Sequence, residues 1–356
     1  MVAKRILLLN PQAELASCLS RVDGLQVAWM ASRERLDQFR RLGIQGMGYE
    51  YNSDRSKVAP REIASVLSAL RRERSHLLFA PTSRPLAHAV QASVLISPRP
   101  RIVAFRGITS PLHRYDPAEW LTYLNPCVDG YACESQAVRE VLLRSGVAAG
   151  KCAVVYNFVP PPLGPGAERG ALAEFDIPAD AFVVGMVANM RRVKGADILL
   201  QAARLLADSP NLFWLLIGDV RDRRVRRMLQ DERLRRQVRA AGFRSDAAHL
   251  MSALDVFAMP SRQEALCRAL LEAMSRGVCP VVSDAGGLPE AVRGGIDGLV
   301  VPRNDPRALA RAVEKLQGSP ELVQQFGRSS AERSRTTFTA EQWCQRLLEL
   351  FWQVLG

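Results

Sequence analysis

Long apolar runs are missing from this 356-residue chain. A membrane-spanning helix needs about 18 or more consecutive apolar residues. The stretch Ala181–Met190 is far shorter and is broken by Gly185 and Asn189. Ile6–Leu9 is too short for the apolar part of a signal peptide, and Asn10 and Pro11 follow at once. The expectation is a cytoplasmic chain that does not span a membrane. Cysteine patterning is absent too: the seven cysteines show no C-x-x-C spacing and the four histidines are scattered. Neither a disulfide framework nor a structural zinc site is expected. No G-x-G-x-x-G follows a strand-like run, which argues against a nicotinamide dehydrogenase. No D-x-D occurs anywhere.

What is present is ordinary globular material, 48 % hydrophobic and 24 % charged, in a length that suits two domains. The net charge of +12 is uneven: residues 1–160 carry 21 Lys+Arg against 13 Asp+Glu, and residues 161–356 carry 27 against 23. A basic chain without a span can rest on an anionic membrane face or bind nucleic acid. A nucleic-acid reader usually adds stacking aromatics or a motif. Aromatics are only 6 % here and none lies in the arginine-rich stretch Arg221–Arg239, so no nucleic acid is expected. The spacing of Arg221–Arg239 allows a helix with Val225, Met228, Leu229 and Leu234 on one face.

Short apolar runs alternate with amphipathic segments. Arg5–Leu9, Leu25–Ala28, His76–Phe79, Arg101–Phe105, Asp129–Cys133 and Ala153–Tyr156 read as strands, with helical spacing in Ile63–Leu70, Leu86–Leu95 and Gln136–Leu143. The proline- and glycine-rich Val159–Gly170 reads as a linker. The alternation restarts with strands at Phe182–Ala188, Phe213–Ile217, Asp255–Met259, Cys279–Val282 and Gly298–Val301, and Glu341–Leu355 is a last amphipathic segment. This pattern implies α/β architecture with two doubly wound parallel sheets, where ligands bind at the carboxyl ends of strands.

The chemistry concentrates in Met259–Glu290. Leu266–Arg276 has helical spacing, which sets Glu264 at the mouth of a helix and Glu272 about two turns inside. The amides of Ala265, Leu266, Cys267 and Arg268 would then form an open first turn, an anion site suited to a diphosphate. At a helix N-terminus the Cys267 thiol would be acidified, against the plainer reading of a small residue that fits there. Asn189, Arg191, Arg192 and Lys194 lie in a basic loop after the strand Phe182–Ala188, where the cations could clamp phosphates. Gly218 and the pair Gly286-Gly287 follow strands and would let a ligand approach the backbone. In the first half, Arg106 ends a strand and His113 follows in a polar loop; both are expected to face the cleft between domains.

Lys194-Gly195, Ile217-Gly218-Asp219, Ala241-Gly242-Phe243, Pro260-Ser261-x-x-Glu264, Glu272-Ala-Met, Gly277-x-x-Pro280-Val-Val, Gly286-Gly287-x-Pro289-Glu290 and Gly298-Leu-Val-Val stand in one order. In that order and spacing, the chain from Gly185 to about Leu316 resembles the retaining family 4 glycosyltransferases (glycosyl transferases group 1). Ala132-Cys-Glu-Ser135 and Val154-Val-Tyr-Asn157 resemble the family's first domain more weakly. The resemblance implies GT-B architecture: two Rossmann-like domains facing a cleft, residues 1–160 on the acceptor side and 161–340 binding a nucleotide-sugar, with helix 341–356 crossing back. It implies sugar transfer to an acceptor hydroxyl with retention, without a cofactor or divalent metal, in agreement with the missing D-x-D. By position, Glu272 would bind ribose hydroxyls, Glu264 the donor sugar or its phosphate, Lys194 the diphosphate, and Gly242 and Phe243 would lie near the base.

Three departures stand out. Asn189 occupies a position where the family usually has Arg, leaving Arg191 or Arg192 to supply that charge. Ala265-Leu266-Cys267 replaces a common Gly-Phe-Gly, and Leu9-Asn10-Pro11-Gln12 replaces a glycine pair. The expected acceptor is a glycan or lipid-linked glycan of the bacterial envelope, such as lipopolysaccharide or capsule, met at the anionic inner membrane face. Two other classes stay open: a binding protein, either a catalytically silent partner subunit of the same fold or an anionic-surface or nucleic-acid binder using Arg221–Arg239, and a sugar-nucleotide epimerase.

Overall fold

The computed structural model describes residues 3–53, 55–160 and 164–356. The chain divides into two compact units, residues 1–156 with 340–356, and residues 157–339. Part of the expected linker, Pro161–Leu163, lies outside the described residues.

The first unit holds seven parallel strands: β1 (Lys4–Leu9), β2 (Leu25–Ala31), β3 (Met47–Glu50), β4 (Leu77–Ala80), β5 (Arg101–Arg106), β6 (Gly130–Cys133) and β7 (Cys152–Val154). Their order is β3-β2-β1-β4-β5-β6-β7. Leu7, Leu8 and Leu9 are all fully buried, because a parallel sheet covered on both faces needs unbroken apolar strands. The edge strand β3 is mostly exposed, so its sequence carries no apolar run and sequence reading passes over it. Helix Ala340–Leu355 buries Trp343, Leu347, Leu350 and Phe351 in this unit. Phe351 meets Phe79 edge-on at 5.5 Å, and Leu350 and Val354 lie over Gly130, where a β-carbon would crowd them.

The same helix corrects the cysteine expectation. Cys344 is joined to Cys18 of helix Ala13–Leu19 in a disulfide, their Cα atoms 6.6 Å apart across 326 positions of sequence. Only the return of the last helix makes them neighbours, and neither local spacing nor an odd cysteine count could show it.

The second unit holds six parallel strands: β8 (Phe182–Val187), β9 (Leu212–Ile217), β10 (Val238–Gly242), β11 (Val256–Met259), β12 (Cys279–Ser283) and β13 (Leu299–Val301). Their order is β10-β9-β8-β11-β12-β13. The order reverses between β8 and β11, which makes the crevice beyond their carboxyl ends the switch point of a doubly wound sheet. The arginine-rich stretch is not one helix. It forms two short helices, Arg223–Met228 and Glu232–Arg235, each started by an aspartate cap (Asp222, Asp231), and its end is already strand β10. The second cap breaks the helix, and β10 needs its residues for pairing with β9.

Among the described residues, no helix is long and apolar enough to cross a membrane.

Candidate functional site at the strand ends of the second unit

Every site residue expected in the second half lies after the carboxyl end of a strand or in helix Arg268–Ser275, which follows β11. Asn189 to Lys194 follow β8, Gly218 follows β9, Gly242 ends β10 with Phe243 beside it, and Ser261 to Cys267 follow β11. At the switch point itself, Lys194 Nζ sits 2.7 Å from Glu264 Oε2. Ser261 Oγ donates to the same carboxylate oxygen at 3.2 Å. The loops after two non-adjacent segments of sequence, 70 residues apart, are thus tied together at one ion pair.

Glycines make this approach possible. Gly195 has φ of +74° and starts helix Ala196–Leu205; a β-carbon there would strike the Pro260 carbonyl. Gly286 has φ of +55°, and a β-carbon there would strike the Glu264 carbonyl, which also accepts a bond from the Gly287 N–H at 3.2 Å. Both positions therefore combine the left-handed conformation with a backbone contact that only glycine permits.

A second ion pair, which sequence reading missed, braces the basic loop. Asp197, in the first turn of helix Ala196–Leu205, is only 3 % exposed at its side chain and takes both terminal nitrogens of Arg262 at 2.7 and 2.8 Å. Arg224 approaches the same carboxylate at 3.4 Å. Burial alone would raise the Asp197 pKa, but the Arg262 hydrogen bonds and charge outweigh it and hold the carboxyl below its ordinary value. Arg262 also donates from Nη1 to the Arg192 carbonyl and from its backbone N–H to the Val193 carbonyl, each at 2.7 Å. The turn carrying Lys194 is therefore held from below by a bidentate clamp. An acid just past Lys194-Gly195 and an arginine between Ser261 and Glu264 were the available signals.

The helix after β11 starts later than expected. It runs Arg268–Ser275 with Cys267 at its N-cap, so the open amides begin at Arg268, and Ala265, Leu266 and Cys267 form a buried, non-helical approach. Glu272 consequently lies little more than one turn inside, half-buried, with Oε1 3.1 Å from Arg268 Nε. Cys267 also behaves oppositely to expectation: burial, with the Glu264 charge adding to it, pushes its thiol up to about 12. Desolvation outweighs the helix terminus here. Arg191 and Arg192 are exposed, and among the described residues neither forms an ion pair. Asn189 and Phe243 are exposed as well.

In the first unit, Arg106 is 1 % exposed. Its guanidinium stacks on the Tyr123 ring at 4.7 Å and donates to the Ser110 carbonyl at 2.6 Å, so it supports the loop from within. Its Nε is buried with no partner among the described residues. His113, on the same loop, is exposed. At the end of β1, Asn10 takes φ of +49°, the conformation a glycine would supply. Arg35 holds it through bonds to its side-chain and backbone oxygens at 2.8 and 3.2 Å.

Comparison with known proteins agrees with this geometry. Residues 171–333 match the glycosyl transferases group 1 family and residues 13–162 match Glycosyltransferase Family 4. The lipopolysaccharide core biosynthesis glycosyltransferase LpsE of Rhizobium meliloti is 31 % identical over 186 residues, 52 % of this chain and 52 % of that protein. LpsD of the same organism is 31 % identical over 182 residues, 51 % of this chain and 52 % of that protein. The chain thus spans about half the length of these curated relatives. Among solved structures, a glycosyltransferase from Rickettsia africae has a TM-score of 0.81 at 16 % identity, with both chains covered in full. Anabaena Alr3699/HepE in complex with UDP has a TM-score of 0.79 at 22 % identity, covering 98 % of this chain and 99 % of that one. The fold is therefore GT-B, with a glycosyl transferases group 1 match over residues 171–333 and a Glycosyltransferase Family 4 match over residues 13–162.

Proposed function

We propose that the protein transfers a sugar from a nucleoside diphosphate to an acceptor hydroxyl, with the anomeric configuration retained and without a divalent metal. The observation that carries this reading is the Lys194–Glu264 pair at the β8/β11 switch point, with Glu272 in the helix that follows. In such a reaction negative charge develops on the leaving diphosphate. Lys194, the exposed Arg191 and Arg192, and the open amides from Arg268 onward would stabilise it. One preorganised donor of this kind is typically worth about 3 kcal/mol. Glu272 would hold the ribose and Glu264 a sugar hydroxyl, while Gly242 and Phe243 would border the base. The HepE structures with UDP and UDP-glucose support a uridine nucleotide as the first donor to test.

The likeness to LpsE and LpsD supports an envelope glycan, lipopolysaccharide or capsule, as the product. The acceptor would then be a glycan or lipid-linked glycan met at the cytoplasmic membrane face, with the excess positive charge of residues 1–160 drawing the enzyme there.

The test is donor turnover in EDTA. The protein is incubated with UDP-, GDP- and ADP-sugars, and released nucleotide is detected by mass spectrometry beside Glu272→Ala. Release of one nucleotide, lost in the variant, is the expected result. Absence of both release and thermal stabilisation by every nucleotide would overturn the reading in favour of a silent partner subunit.

A further inference from the structure

At the amino-terminal edge of the first unit's sheet lies a second cavity of about 780 Å³. It lies at the opposite end of this sheet from Arg106: β5, from Arg101 to Arg106, spans about 17 Å at the usual rise per residue. Lys4 opens β1, Arg71 and Arg74 close helix Pro60–Glu73, Arg99 precedes β5 and Arg101 opens it, and all five line the cavity. Among the described residues, no carboxylate lines it. Arg99 and Arg101 share Asp129, at 3.1 and 3.0 Å, and that carboxylate also accepts the Ile102 N–H. Among the described residues, Lys4, Arg71 and Arg74 form no ion pair.

Two further features mark this as more than a solvated basic rim. The Ser75 hydroxyl, in the cavity wall, is buried without a hydrogen-bond partner among the described residues. A buried hydroxyl left unmade is costly, and an anionic oxygen is the acceptor that would satisfy it. Beside His76 and Ser97, the wall has an apolar part made by Leu70, Leu95, Ile96 and Leu355, and Val94 and Leu95 are exposed at 59 % and 57 %. The helix dipole accounts for arginines in the last turn of Pro60–Glu73, but not for the strand and loop cations, the orphaned hydroxyl or the apolar wall.

We infer that this cavity binds a phosphate ester carrying an apolar group, the phosphate held by Lys4, Arg71, Arg74 and the Ser75 hydroxyl, the apolar part against Leu95 and Leu355. The chemistry is that of a phospholipid headgroup or of a free phosphate ester, and it is independent of the donor site in the second unit.

Two variants of the full chain test it. Arg71→Gln with Arg74→Asn removes two exposed cations, and asparagine tolerates the left-handed conformation of Arg74 (φ +49°). Ser75→Ala removes a hydroxyl that bonds nothing among the described residues, so its melting temperature should stay level or rise. Calorimetry with soluble dihexanoyl phosphatidic acid should show binding that weakens about tenfold or more in the double variant, or ~1.4 kcal/mol. Ser75→Ala should weaken it several-fold. Inorganic phosphate competing with this probe would place the source among free phosphate esters. Sedimentation with phosphatidylcholine vesicles containing phosphatidylglycerol, lost in the double variant, would place it in the bilayer. No binding of any probe, or binding that both variants leave unchanged, overturns the proposal.

Discussion

Replacing Arg262 with methionine should unsettle the second unit and its basic loop together. The substitution removes two charge-assisted bonds, 2.7 and 2.8 Å, from a carboxylate that is 3 % exposed, and leaves Asp197 only Arg224 at 3.4 Å. Breaking a buried pair by deleting one partner costs about 3–5 kcal/mol. Arg262 is itself 23 % exposed and Arg224 remains, so about 2–3 kcal/mol is expected at pH 7. Adding Asp197→Asn removes the stranded charge. The double variant should be less destabilised than the two single costs combined, with a coupling of about 1.5 kcal/mol or more.

The sign of the pH dependence separates this cause from lost packing. The folded Asp197 has a pKa below its ordinary 3.8. Its ion-pair contribution is therefore fully present above the unfolded value and is lost as pH falls through the folded one. The gap between wild type and Arg262→Met should be constant from neutral pH down to about pH 5 and then narrow. Native-state hydrogen exchange at the amides of β8 and β11 reads this unit alone. A gap below about 0.5 kcal/mol, or one that stays level well below pH 4, would refute the ion-pair argument.

Three other outcomes follow from single sites. Gly286→Ala forces a β-carbon into the Glu264 carbonyl at a φ of +55°; it should cost about 2 kcal/mol in denaturant melts and depress donor turnover, because the Glu264 loop must move. Cys267 is buried with its thiol pushed up to about 12, so iodoacetamide at pH 8 should leave it unlabelled in the native protein while unfolding exposes it, as peptide mass spectrometry would show. Asn10→Ala and Asn10→Gly lose the same bonds to Arg35 and Ser53, so chemical denaturation should show alanine the worse by about 1–2 kcal/mol, the left-handed backbone cost alone.

What the sequence made legible was what repeats along it. Eleven of the strands announce themselves as apolar runs because both faces of each sheet are covered. The two that escaped are β3, exposed at an edge, and β10, whose Val238-Arg-Ala-Ala-Gly242 continues a stretch dense in arginine. The candidate site divides along a similar line. Lys194, Glu264, Glu272 and the glycines sit in spacings that local geometry explains: a strand end, a tight turn, a helix start. Asp197 and Arg262 are 65 residues apart and look like ordinary surface charges until the sheet order lays one loop on the other. The same holds for Cys18 with Cys344, and for the five cations that three separate segments bring to the amino-terminal edge of the first sheet. Cys267 shows the limit from the other side. Its position at a helix start argued for an acidified thiol, yet burial among apolar neighbours reverses the sign, and burial is a property of the assembled unit. The strand ends and glycine turns of a candidate site can therefore be read from sequence. The groups that set its charge and rigidity become visible only when β8 and β11 are placed side by side.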